Sequence, residues 1–333
     1  MSEEAYARAG VSQSAADAAV AALVGELDRL DLGRPSRQVL RSGHYANVIR
    51  LDERTGIALS TDGVGTKLIL AERLGRWDTV GIDCVAMNVN DLICVGAEPL
   101  AMLDYIAVPR AEPEVLAAIG VGLRSGAELS GIEIPGGELA QLGELVHGLD
   151  LVGAAFGTVD LDAVITGVQV RPGDPVIGLP SSGLHSNGYT LARSALADIP
   201  LDDERLGRPL GEILLEPTEI YVAAVLELLR SRVEVRGLAH ITSGGLRNLL
   251  RLEAEVGYEI DDPLPAPPIF ELIAELGEVS SEEMHEVFNM GCGFCCVVAA
   301  ADEQAALELL RTRYPKAKTI GRAIVEPGEV WRR

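Results

Sequence analysis

The sequence predicts an α/β protein of two domains, each with helices packed on a mixed sheet, and three observations carry that prediction. The 333 residues amount to about two domains of roughly 150 residues each. Apolar residues make up 48% and aromatics only 4%, so the cores must be assembled from Ala, Val, Leu and Ile, the makeup of helices on sheets. Strand-like apolar runs alternate with segments of helical period, and each half places a polar, Gly-rich turn after such a run. This composition excludes disorder as the main state.

Each element has its own signal. Residues 5–30 carry apolar positions at helical spacing, and 57–60 read as a short strand leading into TDGVGTK. Residues 79–95 (TVGIDCVAMNVNDLICV) place small and apolar side chains three and four apart, with Gly96 as a stop signal and Pro99 beyond it. MLDYIAV is a strand by its β-branched and aromatic content, EPEVLAAIGVGLRSGAELSG a helix, and LDLVGAAFGTVD another strand. PGGE at 135–138 reads as a flexible turn. Composition shifts to Gly, Arg, Pro and Asp at 167–173, which sets the boundary between domains 1–166 and 167–333. Beyond it come the strand DPVIGLP, a helix opening after HSNGY, a helix at 217–230 and a turn at Gly244. A Pro-rich connector at 263–268, a helix at 269–276, a strand at 292–298, and a last helix and strand within 302–324 complete the chain.

Charge narrows the partners. Twenty-eight basic against 50 acidic residues give a net charge of -22, a field that repels a nucleic-acid backbone or an anionic membrane. The N-terminus lacks the apolar core of a signal peptide, and no run approaches the ~18 apolar residues of a membrane span, so a cytoplasmic protein is expected. Cys84, Cys94, Cys292, Cys295 and Cys296 suit reduced, buried thiols; the CxxC of Cys292 and Cys295 has no second ligand pair.

Several constellations suit chemistry. In Ser60-Thr61-Asp62-Gly63-Val64-Gly65-Thr66-Lys67, small residues let backbone N–H groups approach an anion, while Asp62 can hold a divalent cation and Lys67 can neutralise phosphate. An ordinary strand-to-helix turn would look similar. However, Lys67 is the only lysine before Lys316 in a chain that otherwise uses arginine, and a compact ammonium suits a phosphate contact. Asp83, Asn88, Asn90 and Asp91 share or adjoin faces of the presumed 79–95 helix. They either complete an oxygen shell for Mg²⁺ or form an internal hydrogen-bond network. Gly136, Gly137 and Glu138 offer a turn that can close over a ligand. Ser182, His185, Ser186 and Asn187 follow a strand and open a helix, an arrangement suited to an anion or substrate. Gly244, Gly245 and Asn289 lie in further turns beside apolar strands, either as connectors or as walls of the same cleft.

Taken in order, TDGVGTK, GIDCVAMNVNDLICVGAEPLAMLDY, SSGLHSNGY, EPTEIYV, GLAHITSGGL and FNMGCGF resemble the phosphoribosylformylglycinamidine cyclo-ligases (aminoimidazole ribonucleotide synthetases) of purine biosynthesis. The resemblance implies two α/β domains, with an N-terminal sheet that forms a barrel in a homodimer and nucleotide bound in a cleft between the halves. It implies ATP and Mg²⁺ as cofactors and formylglycinamidine ribonucleotide as substrate, closed to aminoimidazole ribonucleotide with release of ADP and phosphate. By position it makes Asp62 and Asp91 the metal carboxylates with Asp83 nearby. Lys67 becomes a phosphate contact, and His185, Ser186 and Asn187 a substrate-phosphate or proton-handling site.

Two segments depart from the family pattern. Residues 40–50 read LRSGHYANVIR where the family usually has a Gly- and Phe-rich loop enclosing nucleotide, so His44 and Tyr45 either stack on adenine or form a solvated turn. After Glu138 the family's threonine and acidic-Met-Pro-Gly continuation are replaced by Leu139-Ala140-Gln141-Leu142-Gly143. Relatives that phosphorylate selenide, thiamine phosphate or a carbamoyl-derived thiol offer another acceptor, although they lack the HSNGY and FNMG segments. A nucleotide-binding regulator without catalysis is a third reading, opposed by the retained Asp62, Lys67, Asp91 and His185.

Overall fold

A computed structural model describes residues 13–40 and 43–332. Its first half contains α1 (Gln13–Leu27), β1 (Asn47–Arg50), β2 (Thr55–Gly63), α2 (Leu68–Leu74) and α3 (Val80–Cys94). Then follow β3 (Glu98–Val108), α4 (Pro113–Ser130), β4 (Glu133–Gln141) and β5 (Asp150–Asp160). The strands form one sheet in the order β1-β2-β5-β3-β4. Alternation along β5 buries Leu151, Gly153, Ala155, Gly157 and Val159 on the face covered by helices. The opposite face leaves Leu59, Leu103, Tyr105 and Phe156 exposed at 37–47%. Helix α3 is buried at nearly every position because α4 crosses it closely. A Cβ on Gly81 would lie 2.2 Å from the backbone nitrogen of Leu123.

The second half contains β6 (Pro175–Pro180), α5 (Tyr189–Ala195), α6 (Leu210–Leu214), α7 (Val222–Leu229) and β7 (Val235–His240). It continues with β8 (Gly257–Ile260), α8 (Pro268–Gly277), α9 (Ser281–Val287) and β9 (Cys292–Val298). It closes with α10 (Glu303–Leu310), β10 (Lys318–Ile324) and β11 (Val330–Arg332). The sheet order is β11-β8-β10-β6-β9-β7. All seven residues of β9 are buried, as expected of a strand covered on both faces. Both β6 and β7 run antiparallel to β9. The loops after β6 and β7 and the turn before β9 therefore meet at one end of the sheet.

Four sequence expectations change. The strand before the glycine loop spans nine residues rather than 57–60, so Asp62 and Gly63 sit on β2 and the turn begins at Val64. PGGE is not a turn but part of β4, which pairs in parallel with β3; a Cβ on Gly137 would fall 2.4 Å from the Asp104 carboxylate. The helix expected at 217–230 starts only at Val222, because 216–221 runs non-helically along the other half. The N-terminal helix spans 13–27, and the expectation for 5–12 lies outside the described residues. No helix among the described residues is long and apolar enough to cross a membrane.

Candidate functional site

The site lies where the carboxylate end of α3 meets the loops of the second sheet. Asp62 and Asp91 occupy one acidic corner. Asn88 fixes the Asp62 backbone: its Oδ1 accepts from the Asp62 N–H at 3.0 Å, and its Nδ2 donates to the Asp62 carbonyl at 3.1 Å and the Cys84 carbonyl at 2.9 Å. The Gly63 N–H donates to Asp62 Oδ1 at 2.7 Å. Burial, then the charge of Asp91, pushes the Asp62 carboxyl up to about 6, against the opposing pull of the Gly63 N–H, His240 and Arg251. Two neighbouring carboxylates, with the charge of Asp91 acting on Asp62, form a donor set for a hard divalent cation. Mg²⁺ takes one or two carboxylates and completes its shell with water and phosphate oxygens. Among the described residues no group of three or more His, Cys, Asp or Glu side chains could hold a metal.

His240, at the end of β7, ties this corner to the second half. Its Nδ1 lies 2.9 Å from Asp91 Oδ1, and the ring is fully buried. The sequence reading missed it, although a histidine ending an apolar strand in GLAHIT was the available signal. Asn90 is also a tie between halves: Nδ2 donates to the Glu219 carbonyl at 2.8 Å, and Oδ1 accepts from the Tyr221 N–H at 3.0 Å. Both asparagines therefore spend their amide groups on protein partners.

Lys67 and Asp83 sit in a different place from the one the sequence suggested. The ammonium is fully buried, 2.9 Å from both Asp83 carboxylate oxygens, and donates to the carbonyls of His185 at 3.1 Å and Glu216 at 2.6 Å. Asp83 Oδ1 also accepts from Thr218 N–H at 2.7 Å and Oγ1 at 2.6 Å. Burial pushes the Lys67 pKa down, while Asp83 holds it up. With three acceptors for three protons, this ammonium has no donor left for a phosphate, and Asp83 Oδ1 is spent on Lys67 and Thr218. The pair is instead a buried lock between the halves, closed by the EPTEIYV segment.

The residues of the SSGLHSNGY loop lie together with Ser243, Gly244, Gly245 and Asn289. His185 is fully buried at φ +63°, a backbone conformation uncommon outside glycine. Its Nε2 accepts from the Ser182 N–H at 3.3 Å, while Nδ1 has no partner. Burial, then the His240 and Lys67 charges, pushes the imidazole well below its usual pKa and keeps it neutral. Ser182 Oγ donates to the Pro217 carbonyl at 2.5 Å, and Ser186 and Thr218 hydroxyls lie 3.2 Å apart. Ser243 Oγ donates to Asn187 Oδ1 at 3.2 Å, leaving the buried Asn187 Nδ2 unpartnered. Gly244 and Gly245 both take positive φ; a Cβ on Gly245 would lie 2.1 Å from the His285 carbonyl. Asn289 bonds Ser181 at 2.9 Å and the Gly183 carbonyl at 2.9 Å, so it shapes the loop from beneath. Gly65 and Thr66 are exposed in the turn before α2, with Thr66 Oγ1 3.2 Å from Thr190 Oγ1. Gly136 and Glu138 are exposed on β4.

Tyr45 neither lies in a solvated turn nor waits free to stack on a base. It is buried; its hydroxyl donates to the Asn248 carbonyl at 2.7 Å, and its ring lies 4.9 Å from the Arg251 guanidinium carbon. His44 Nε2 meets Glu253 at 3.0 Å. Cys292 and Cys295 place their sulfurs 3.6 Å apart in the core.

Residues 43–159 match the family described as AIR synthase related protein, N-terminal domain, and residues 171–332 match the C-terminal domain. The phosphoribosylformylglycinamidine cyclo-ligase of Thermococcus gammatolerans is 49% identical over 97% of this chain and 96% of its own length. That of Methanothermobacter thermautotrophicus is 48% identical over 92% and 91%. Among solved structures, the HypE-HypF complex aligns with a TM-score of 0.66 at 20% identity, covering 93% of this chain and 96% of that one. AaThiL complexed with AMPPCP and TMP aligns at 0.62 and 18%, covering 87% of each. The two sheets, the acidic corner and the matched residues together establish that this chain belongs to the AIR synthase related family.

Proposed function

We propose that this protein closes formylglycinamidine ribonucleotide to aminoimidazole ribonucleotide, consuming ATP and releasing ADP and phosphate. The observation that carries the reading is the near-full-length identity with cyclo-ligases, matched by a carboxylate pair facing the SSGLHSNGY loop across the seam. Asp62 and Asp91 would hold Mg²⁺, which when bound shields the phosphates and lets an amide oxygen attack the terminal one. Gly63, Gly65 and Thr66 border the nucleotide, with Gly136, Gly137 and Glu138 at the edge of the same sheet. Ser182, Ser186, Asn187, Gly244 and Gly245 bind and fold the substrate so that its amidine nitrogen reaches the activated formyl carbon. Neutral His185, whose Nε2 accepts from Ser182 and whose Nδ1–H is free, orients that loop or donates a hydrogen bond to the substrate, and Asn289 supports it.

The chain divides functionally at 166/167, with the metal pair on the first domain and most substrate contacts on the second. The apolar outer face of the first sheet, with Leu59, Leu103, Tyr105 and Phe156 uncovered, supports a homodimer in which two such sheets close together. The test is direct: purified protein with Mg-ATP and formylglycinamidine ribonucleotide should form ADP and aminoimidazole ribonucleotide in equal amounts. Equal ADP release with selenide or thiamine phosphate would oppose this reading.

A further inference from the structure

We infer that Arg251 is the cation that meets the triphosphate at the Asp62/Asp91 corner, the charge role that the sequence suggested for Lys67. The inference rests on the proposed nucleotide chemistry and goes beyond it by assigning a residue outside every motif role above.

Charge at the corner requires a further cation. A bound Mg²⁺ only balances two carboxylates, and a triphosphate tail brings about four negative charges, so further positive charge is needed where the tail docks. Lys67 cannot supply it, being fully buried with its three protons committed to Asp83 and two carbonyls. Arg251 is exposed, makes no ion pair among the described residues, and ends the turn that follows β7, whose last residue His240 meets Asp91 Oδ1 at 2.9 Å.

Arg251 is also held in position. Arg251 ends the 3-10 turn Gly245–Arg251. That turn begins at the glycines bordering the substrate loop. The departing segment Gly43-His44-Tyr45 grips the chain on both sides of Arg251, with Tyr45 on the Asn248 carbonyl and His44 on Glu253. The guanidinium then lies over the Tyr45 ring at 4.9 Å. Stacking uses the flat face of the group and leaves its in-plane N–H donors free, the edge that binds phosphate bidentately. A ring pinned at its hydroxyl and buried beneath the guanidinium removes much of the rotamer freedom that an exposed arginine would lose on binding. The segment that replaces the family's Gly- and Phe-rich loop therefore serves as a mount for a phosphate-binding arginine.

Calorimetry on the intact chain tests this without turnover, using Mg²⁺ with a β,γ-nonhydrolysable ATP analogue, with inorganic tripolyphosphate, and with AMP. Arg251→Gln should weaken both triphosphate ligands about tenfold or more, the loss of one charge-assisted contact, while AMP affinity and melting temperature stay close to the parent's. Arg251→Lys should fall between, and Tyr45→Leu should weaken the triphosphates without abolishing them. Unchanged triphosphate affinity in Arg251→Gln, with the parent binding normally, overturns the inference alone; so does an equal loss for AMP, which would mark a purely structural role. A parent chain that binds none of the three ligands overturns the proposed function together with the inference.

Discussion

Replacing Lys67 by Met removes the ammonium from the lock between the halves while keeping a long unbranched side chain. Asp83 then retains the two Thr218 donors at 2.7 and 2.6 Å but loses its counter-ion, and the His185 and Glu216 carbonyls lose their shared donor. Stranding one member of a buried pair costs about 3–5 kcal/mol. Unfolding entropy near ~2.1 cal/mol/K per residue is about 0.7 kcal/mol/K for 333 residues, so the cost corresponds to a fall in Tm of about 4–7 °C. Scanning calorimetry reads this directly. The double variant Lys67→Met/Asp83→Asn removes both charges and should recover part of the loss, because the stranded carboxylate is the costly element. A Lys67→Met protein melting within about 1 °C of the parent would refute the reasoning and return the ammonium to the cleft.

Asp91→Asn should remove most Mg²⁺-dependent nucleotide binding while leaving the fold intact, since the asparagine oxygen can still accept from His240; calorimetry with and without Mg²⁺ checks it. Asp62 titrates near 6 when folded, above an ordinary carboxyl. Its protonated form therefore favours the folded state at low pH, an advantage lost as pH rises through about 6. A metal needing the ionised form should bind more weakly below that pH and release about half a proton per site at pH 6, measured in buffers of different ionisation heat. Gly293→Ala would place a Cβ 2.1 Å from the Tyr221 hydroxyl and 2.5 Å from His185 Cε1. Overpacking of this kind costs about 1–3 kcal/mol, so Tm should fall and the substrate loop should shift, with KM rising.

What the sequence made legible was periodic and local. The 79–95 reading matches α3 to within one residue at each end because small and apolar side chains at helical spacing stop at Gly96. Of the residues named from the motifs, Asp62 and Asp91 share one corner, Ser182 to Asn187 lie with Ser243 to Gly245 and Asn289, and Gly136 to Glu138 sit apart on β4. The failures are all non-local. PGGE carries turn residues, yet it is a strand because β3 offers a parallel partner and the Asp104 carboxylate fills the space where a side chain at Gly137 would go. Strands β8 and β11 are three or four residues long and exist through pairing with each other and with β10. The scarcity of lysine flagged Lys67 as special but could not reveal that its partner was Asp83, sixteen residues on, rather than a ligand. His240 escaped because nothing near it in sequence announces Asp91 as its partner.

The buried ties explain why the two halves meet in one fixed arrangement. Lys67, Asn90 and Asp91 from the first half each bond a group on the second. The carboxylate corner and the SSGLHSNGY loop are therefore held in register, the preorganisation that the proposed ring closure requires.

The most direct measurement is product analysis after a single incubation of the purified chain with formylglycinamidine ribonucleotide, ATP and Mg²⁺. The account predicts aminoimidazole ribonucleotide, ADP and phosphate appearing together in a 1:1:1 ratio, fixed by the balanced reaction, and none of them when Mg²⁺ is withheld. ADP without the imidazole product, or the imidazole product without ATP, would contradict it.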